Sequence, residues 1–245
     1  MMPKQKRVLV FQHVPVETPG VFLDFLAEDG HTSVAVELDA GEPIPPLAGF
    51  DALWVMGGPM DVWQTDAHPW LEAEMAAIRE AVMQRRMPYI GFCLGHQLLA
   101  AALGGAVGPG NASEVGVLPV QSVETDSDGW FSGLPDTLEV LQWHSAAVHT
   151  LPPGARTLLG SEVCPIQAFH VGSHALGMQF HVEITGSSIR DWFEILAYRE
   201  ALIAALGEDG ADALEREVDS LVPTFNQFAR NIYANWGRLS GFSNT

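Results

Sequence analysis

The chain of 245 residues carries 12 basic against 30 acidic side chains, a formal net charge of −18, with 47% hydrophobic and 17% charged residues. That length and apolar share suit one large α/β domain with a buried core and exclude a disordered chain, while so acidic a surface repels nucleic acid and anionic lipid. The only lysines are Lys4 and Lys6, which excludes a phosphate loop with its lysine and Schiff-base chemistry from the body of the chain.

No apolar run reaches the length of a membrane span; the stretch 98–107 is about half of what is needed and contains glycines. The basic start is followed by only a few apolar residues and then by Gln12, His13 and Pro15, so it reads as a first strand and not as a signal peptide. Two cysteines, Cys93 and Cys164, make no disulfide framework, and a reducing, cytoplasmic setting is expected.

In chain order, 7–12 and 33–38 are β-branched runs separated by a helix-like segment, 19–29. A third strand, 51–56, ends abruptly in Gly57-Gly58-Pro59. The segment 69–86 carries Leu71, Met75, Ile78 and Val82 at helical spacing and stops at Pro88. A fourth strand, 89–93, runs straight into a helix, 94–103, closed by Gly104-Gly105. Short strands follow at 114–123, 138–143, 156–160, 166–170 and 175–181, with the punctuation of antiparallel pieces. The end is helical over 187–206, 210–221 and 223–238. The expected fold class is α/β: a single doubly wound, mostly parallel sheet with flanking helices, small antiparallel elements and a helical C-terminal extension. The extension, 186–245, is expected to pack on the same domain as 1–185. Apolar residues on it (Trp192, Phe193, Phe225 and Trp236) read either as an exposed interface or as the docking face of a tail helix.

Chemistry concentrates at Gly91-Phe92-Cys93-Leu94-Gly95. A residue between a strand and a helix, with glycine two positions away on each side, matches a nucleophile elbow with Cys for Ser. The turn is too sharp for neighbouring side chains, and the helix that follows points its N–H groups at the sulfur, favouring thiolate. Cys164, followed by Pro165 and without flanking glycines, reads as an inert core cysteine. In Gln179-Phe180-His181-Val182-Glu183, strand alternation puts His181 and Glu183 on one face, so that a carboxylate can orient an imidazole acting as base. The remaining histidines show no regular metal-ligand spacing, so no metal is expected; His96 reads as a packing residue and His144, beside Trp143, as a binding residue.

These residues together carry a resemblance. Gly91–Ala100 resembles the nucleophile motif of class I glutamine amidotransferases, as in the amidotransferase domain of GMP synthase. Gln179-Phe180-His181-Val182-Glu183 is similar to the family's Q-F-H-P-E, with Val182 for the usual Pro, and Val55-Met56-Gly57-Gly58-Pro59 resembles its oxyanion turn. The likeness covers 7–185. It implies a flavodoxin-like fold, a catalytic triad of Cys93, His181 and Glu183, an oxyanion hole from Gly58 and Leu94, and substrate contacts from Gln97, His144 and Ser145. The sequence departs from the pattern at His144-Ser145-Ala146, where relatives read H-G-D and supply a carboxylate.

The expected function is hydrolysis of glutamine or a γ-glutamyl amide through a γ-glutamyl thioester, without cofactor, releasing ammonia or an amine. Its partners are a small-molecule substrate and, in one version, a separate synthetase subunit, since no phosphate loop or pyrophosphatase signature is present in this chain. The alternatives are a γ-glutamyl peptidase-type enzyme uncoupled from any synthetase, and a metabolite-sensing module for which an intact nucleophile has no use. A dinucleotide-binding reading fails because no G-x-G-x-x-G follows the first strand.

Overall fold

The computed structural model describes residues 5–123 and 129–243; Lys4, one of the two lysines, lies outside them. Nine strands form one continuous sheet: β1 (Arg7–Gln12), β2 (Thr32–Glu37), β3 (Ala52–Val55), β4 (Tyr89–Phe92), β5 (Ala106–Ser122), β6 (Thr137–Thr150), β7 (Ala155–Gly160), β8 (Ala168–Val171) and β9 (Ala175–Met178). Their order is β2-β1-β3-β4-β9-β8-β7-β5-β6. The first five positions pair in parallel and the rest antiparallel. The doubly wound core stands as the sequence implies. The antiparallel pieces are larger than expected and extend the same sheet, because β5 and β6 pair over most of their length.

The parallel strands read as unbroken apolar runs because both faces are covered. Alternate residues sort to the two sides. Val8, Val10, Trp54, Ile90 and Phe92 meet Phe22 and Phe25 of α1 (Val21–Glu28) and the C-terminal helices. Leu9, Phe11, Leu53, Val55 and Tyr89 meet α2 (Trp70–Arg79) and α3 (Leu94–Ala102). The expected helix 69–86 is regular only to Arg79 and ends in a π-helical turn, Glu80–Gln84.

The C-terminal segment departs from expectation twice. The run 187–206 is two helices, α4 (Ser188–Phe193) and α5 (Leu196–Leu206), broken where Ile195 is extended. In one continuous helix, positions 192 and 198 would face about 120° apart. The break lets both Trp192 and Tyr198 turn inward, and both are buried. Conversely, 210–221 and 223–238 are one helix, α6 (Gly210–Ser240), with Pro223 inside it. A mid-helix proline costs about 3 kcal/mol. Here burial of Val218, Phe225, Ala229, Ile232 and Trp236 along one face offsets it. Trp236 also donates its indole N–H to the Tyr89 carbonyl at 3.1 Å, fixing α6 to β4.

The interface reading of the tail residues is therefore corrected: Trp192, Phe225 and Trp236 are buried and Phe193 packs against the core. The large apolar residues that α5 does expose are Leu196, Ile203 and Leu206. No helix among the described residues is long and apolar enough to cross a membrane.

Candidate active site

The carboxyl ends of parallel strands are where open α/β sheets bind ligands, and five of the predicted site residues, Gly58, Cys93, Leu94, His181 and Glu183, lie just beyond them. Cys93 follows β4 with φ 47° and ψ −100°, one of two non-glycine residues at positive φ among the described residues. Such a backbone costs of order 1–3 kcal/mol and persists only where its surroundings impose it. Here they do. A Cβ on Gly91 would lie 2.5 Å from the Gly95 backbone, and one on Gly95 would lie 2.2 Å from the Val55 carbonyl oxygen. The Cys93 N–H bonds the Met178 carbonyl at 2.8 Å, tying the elbow to β9.

Beyond β3, Gly58 fits only as glycine. Its Cβ would meet Met60 Sδ at 2.7 Å, His13 Cβ at 2.9 Å and Leu94 Cδ2 at 3.0 Å. The turn is held by His13, which donates from Nδ1 to the Gly57 carbonyl at 2.8 Å and places Nε2 2.9 Å from Glu74 Oε1. Burial opposes a charge on His13, but Glu74 overrides it and raises its pKa. Leu94 is the first residue of α3, so its N–H has no intrahelical acceptor.

The histidine arrives by a route the sequence did not show. β9 ends at Met178, so His181 and Glu183 are not on its ladder. Instead the His181 N–H bonds the Leu141 carbonyl of β6 at 2.9 Å. The expected pair nevertheless forms, with His181 Nδ1 2.6 Å from Glu183 Oε1, while Glu183 Oε2 accepts from Val182 N–H at 2.9 Å. Burial opposes the imidazolium, but the Glu183 carboxylate and a hydrogen bond with Cys93 outweigh it and hold His181 well above its ordinary range. The Trp192 ring lies edge-on to the imidazole, 4.7 Å between centroids. Gly20, at φ 50°, brings the β1–α1 connection against the Glu183 carbonyl, leaving no room for a Cβ.

The sulfur has two more neighbours. Gln179 Nε2 donates to Sγ at 3.4 Å, and the Trp143 carbonyl lies 3.9 Å away. Gln97, expected on the substrate, donates to Gln179 Oε1 at 3.0 Å and to the Ala146 carbonyl at 3.3 Å, so it braces the elbow against β6. Trp143, His144 and Ser145 are strand residues of β6, which runs on past the expected strand end at 143. With Pro59, Tyr198 and Ala201, among others, they line a cavity of ≈110 Å³.

His144 is braced from behind by Glu114, whose Oε2 is 3.2 Å from Nε2. Folding brings Glu114, His144 and Cys164 within 4.8 Å of one another, a cluster that linear spacing did not reveal. Ser161 and Gln167 already donate to the Glu114 oxygens at 3.0 and 2.9 Å, and burial together with Glu114 pushes the Cys164 thiol up to about 12. The cluster stands directly behind His144. His96 packs edge-on to Phe169 at 4.9 Å, its pKa pushed down to about 3 by burial.

Three residues were missed. His13 stands at the end of the first strand of a doubly wound fold, a place that could have marked it. Glu17 and Tyr198 carried no local signal. They meet across the site, the Tyr198 hydroxyl donating to Glu17 Oε1 at 2.6 Å.

Comparison with known proteins bears on the chain as a whole. Residues 24–192 match the family model described as glutamine amidotransferase class-I. A glutamine amidotransferase-like protein of Salmonella typhimurium, YfeJ, is 35% identical over 188 residues, 75% of this chain and 78% of that one. A glutamine-hydrolysing GMP synthase component of Thermococcus kodakarensis is 39% identical over 110 residues, 44% of this chain and 57% of that one. A glutamine amidotransferase structure from Thermotoga maritima superposes with a TM-score of 0.85 at 28% identity, covering 97% of this chain and 99% of that one. One from Methylobacillus flagellatus does so with 0.85 at 33%, covering 96% and 95%. The chain belongs to the class I glutamine amidotransferase family.

Proposed function

We propose that this protein hydrolyses glutamine or a closely related γ-glutamyl amide through a thioester on Cys93, with His181 as acid–base and Glu183 as its orienting carboxylate. One observation carries the reading: a cysteine at positive φ between β4 and α3, hydrogen-bonded to an imidazole that Glu183 holds at 2.6 Å.

His181 takes the Cys93 proton, and the thiolate attacks the amide carbon. The oxyanion is met by the N–H groups of Gly58 and Leu94, worth about 3–4 kcal/mol each where such donors have been removed. The C–N bond breaks, its electron pair stays on nitrogen, and the imidazolium protonates the departing amine. Water, deprotonated by His181, then attacks the thioester and Cys93 leaves as thiolate. Gln97, His144 and Ser145 hold the amino-acid end of the substrate, Gln97 through the backbone it fixes at Ala146.

In a two-component version the released ammonia passes to a separate synthetase, as the names of the GMP synthase relatives suggest. The test is labelling of Cys93 by a glutamine-like electrophile, protected by free glutamine, alongside hydrolysis by wild type and Cys93→Ala. Labelling at one site and loss of hydrolysis in the variant are expected; full hydrolysis by Cys93→Ala refutes the mechanism.

A further inference from the structure

Glu17 is unused by the mechanism above, yet it belongs to the reaction centre. It lies in the connection between β1 and α1, only 3% exposed. It offers a carboxyl oxygen within 4.8 Å of ligand atoms of both His181 and Glu183. Its carboxyl also presses on Gly57 of the oxyanion turn, where an added Cβ would meet Oε2 at 2.8 Å. Oε1 is taken by the Tyr198 hydroxyl at 2.6 Å, whereas Oε2 has no hydrogen-bond partner among the described residues. A buried carboxyl oxygen left unpaired costs about 1–3 kcal/mol or more, so its retention beside a catalytic imidazole calls for a ligand. The titratable groups that face it are His181, Glu183, His13 and Tyr198. Burial raises its pKa more than His181 and Tyr198 lower it, which favours the neutral acid.

We propose that Glu17 receives the amine that departs as the thioester forms, making it a specificity-determining residue for basic leaving groups. The inference rests on the Cys93–His181 thioester reading. When the C–N bond breaks, the nitrogen keeps the electron pair, takes the His181 proton and leaves as a neutral amine beside the imidazole. That amine is still nucleophilic and can re-add to the thioester. Glu17, as the acid, transfers its Oε2 proton to the nitrogen lone pair, giving a carboxylate and an ammonium. The ammonium carries the charge out, and solvent returns a proton to Glu17. An ammonium has no lone pair, so it cannot re-add to the thioester and departure becomes irreversible. An alcohol leaving from an ester is too weakly basic to take this proton, so its departure does not call on Glu17.

The test compares γ-glutamyl methylamide with γ-glutamyl methyl ester, which give the same acyl-enzyme, through kcat/KM for wild type, Glu17→Gln and Tyr198→Phe. In Glu17→Gln the amide value should fall about 100-fold, the lower end for positioned proton donors, while the ester value stays within about twofold. Because the amide-to-ester ratio is taken within one preparation, partial unfolding of a variant does not alter it. Tyr198→Phe leaves Oε2 in place and should keep the wild-type ratio. An unchanged ratio in Glu17→Gln overturns the proposal, as does an equal fall of the ratio in both variants, which would mean that Glu17 only anchors α5. If Cys93 of Glu17→Gln is still labelled by the electrophile, that failure belongs to Glu17 alone; if wild-type Cys93 is not labelled, the thioester reading itself fails.

Discussion

Replacing Gly95 by alanine isolates the steric logic of the elbow, because Gly95 is not at positive φ and only space is at issue. The new Cβ would stand 2.2 Å from the Val55 carbonyl oxygen and 2.8 Å from its carbon, both backbone atoms of a central strand that cannot rotate away. An ordinary carbon–oxygen contact is ~3.3 Å, so α3 must move by about 1 Å. That shift carries Leu94 N–H and Cys93 with it, away from Gly58 and His181. A misplacement of this size costs on the order of 10²-fold in rate, and overpacking costs about 1–3 kcal/mol in stability. The assay is the second-order rate of Cys93 alkylation by a glutamine-like electrophile, read beside a urea melt. Gly186→Ala is the control, because a Cβ there meets nothing within 4 Å, and it should stay within about 0.5 kcal/mol of wild type. Wild-type alkylation and stability in Gly95→Ala would refute the claim that the glycine exists to let helix and strand approach.

Three further outcomes follow from the geometry. Glu183→Gln removes the carboxylate that raises His181, so imidazolium is lost at lower pH; the alkaline limb of kcat/KM should move to lower pH and the plateau fall roughly 10²–10⁴-fold. Trp236→Ala deletes a fully buried indole and its hydrogen bond to the Tyr89 carbonyl, and should destabilise the protein by about 3–5 kcal/mol in denaturant melts while leaving the elbow's sequence intact. Glu17 has its folded-state pKa raised by burial, so its ionisation penalises the native state as pH rises above the unfolded value. Glu17→Gln, measured by thermal melts, should therefore match wild type near pH 4 and gain on it towards pH 7; a gain that instead grows on acidification would contradict the raised pKa.

How much of this was legible in the chain depends on how local the cause is. The β4–α3 elbow could be read directly, because the collision that demands Gly91 and Gly95 involves a turn and the strand beside it. The parallel strands were legible as apolar runs, since burial on both faces leaves no room for alternation. The pairing of His181 with Glu183 was also anticipated, but for a reason that fails: the strand has ended, and a single bridge to Leu141 sets the histidine. The helix break at Ile195 and the uninterrupted passage through Pro223 ran against local propensity. Both were decided by which aromatic rings could be buried.

The sequence by itself determined the glycine-flanked turn at Cys93, the glycine turn after β3 and the doubly wound core, because each rests on contacts within a few residues or on a periodic pattern. Only the tertiary structure decided that Glu17 lies beside His181, that Tyr198 reaches it from 181 residues further along, and that Glu114 and Cys164 stand behind His144. Those neighbours are produced by sheet order and helix docking. Chain closure over such separations leaves no signature in any short window of residues.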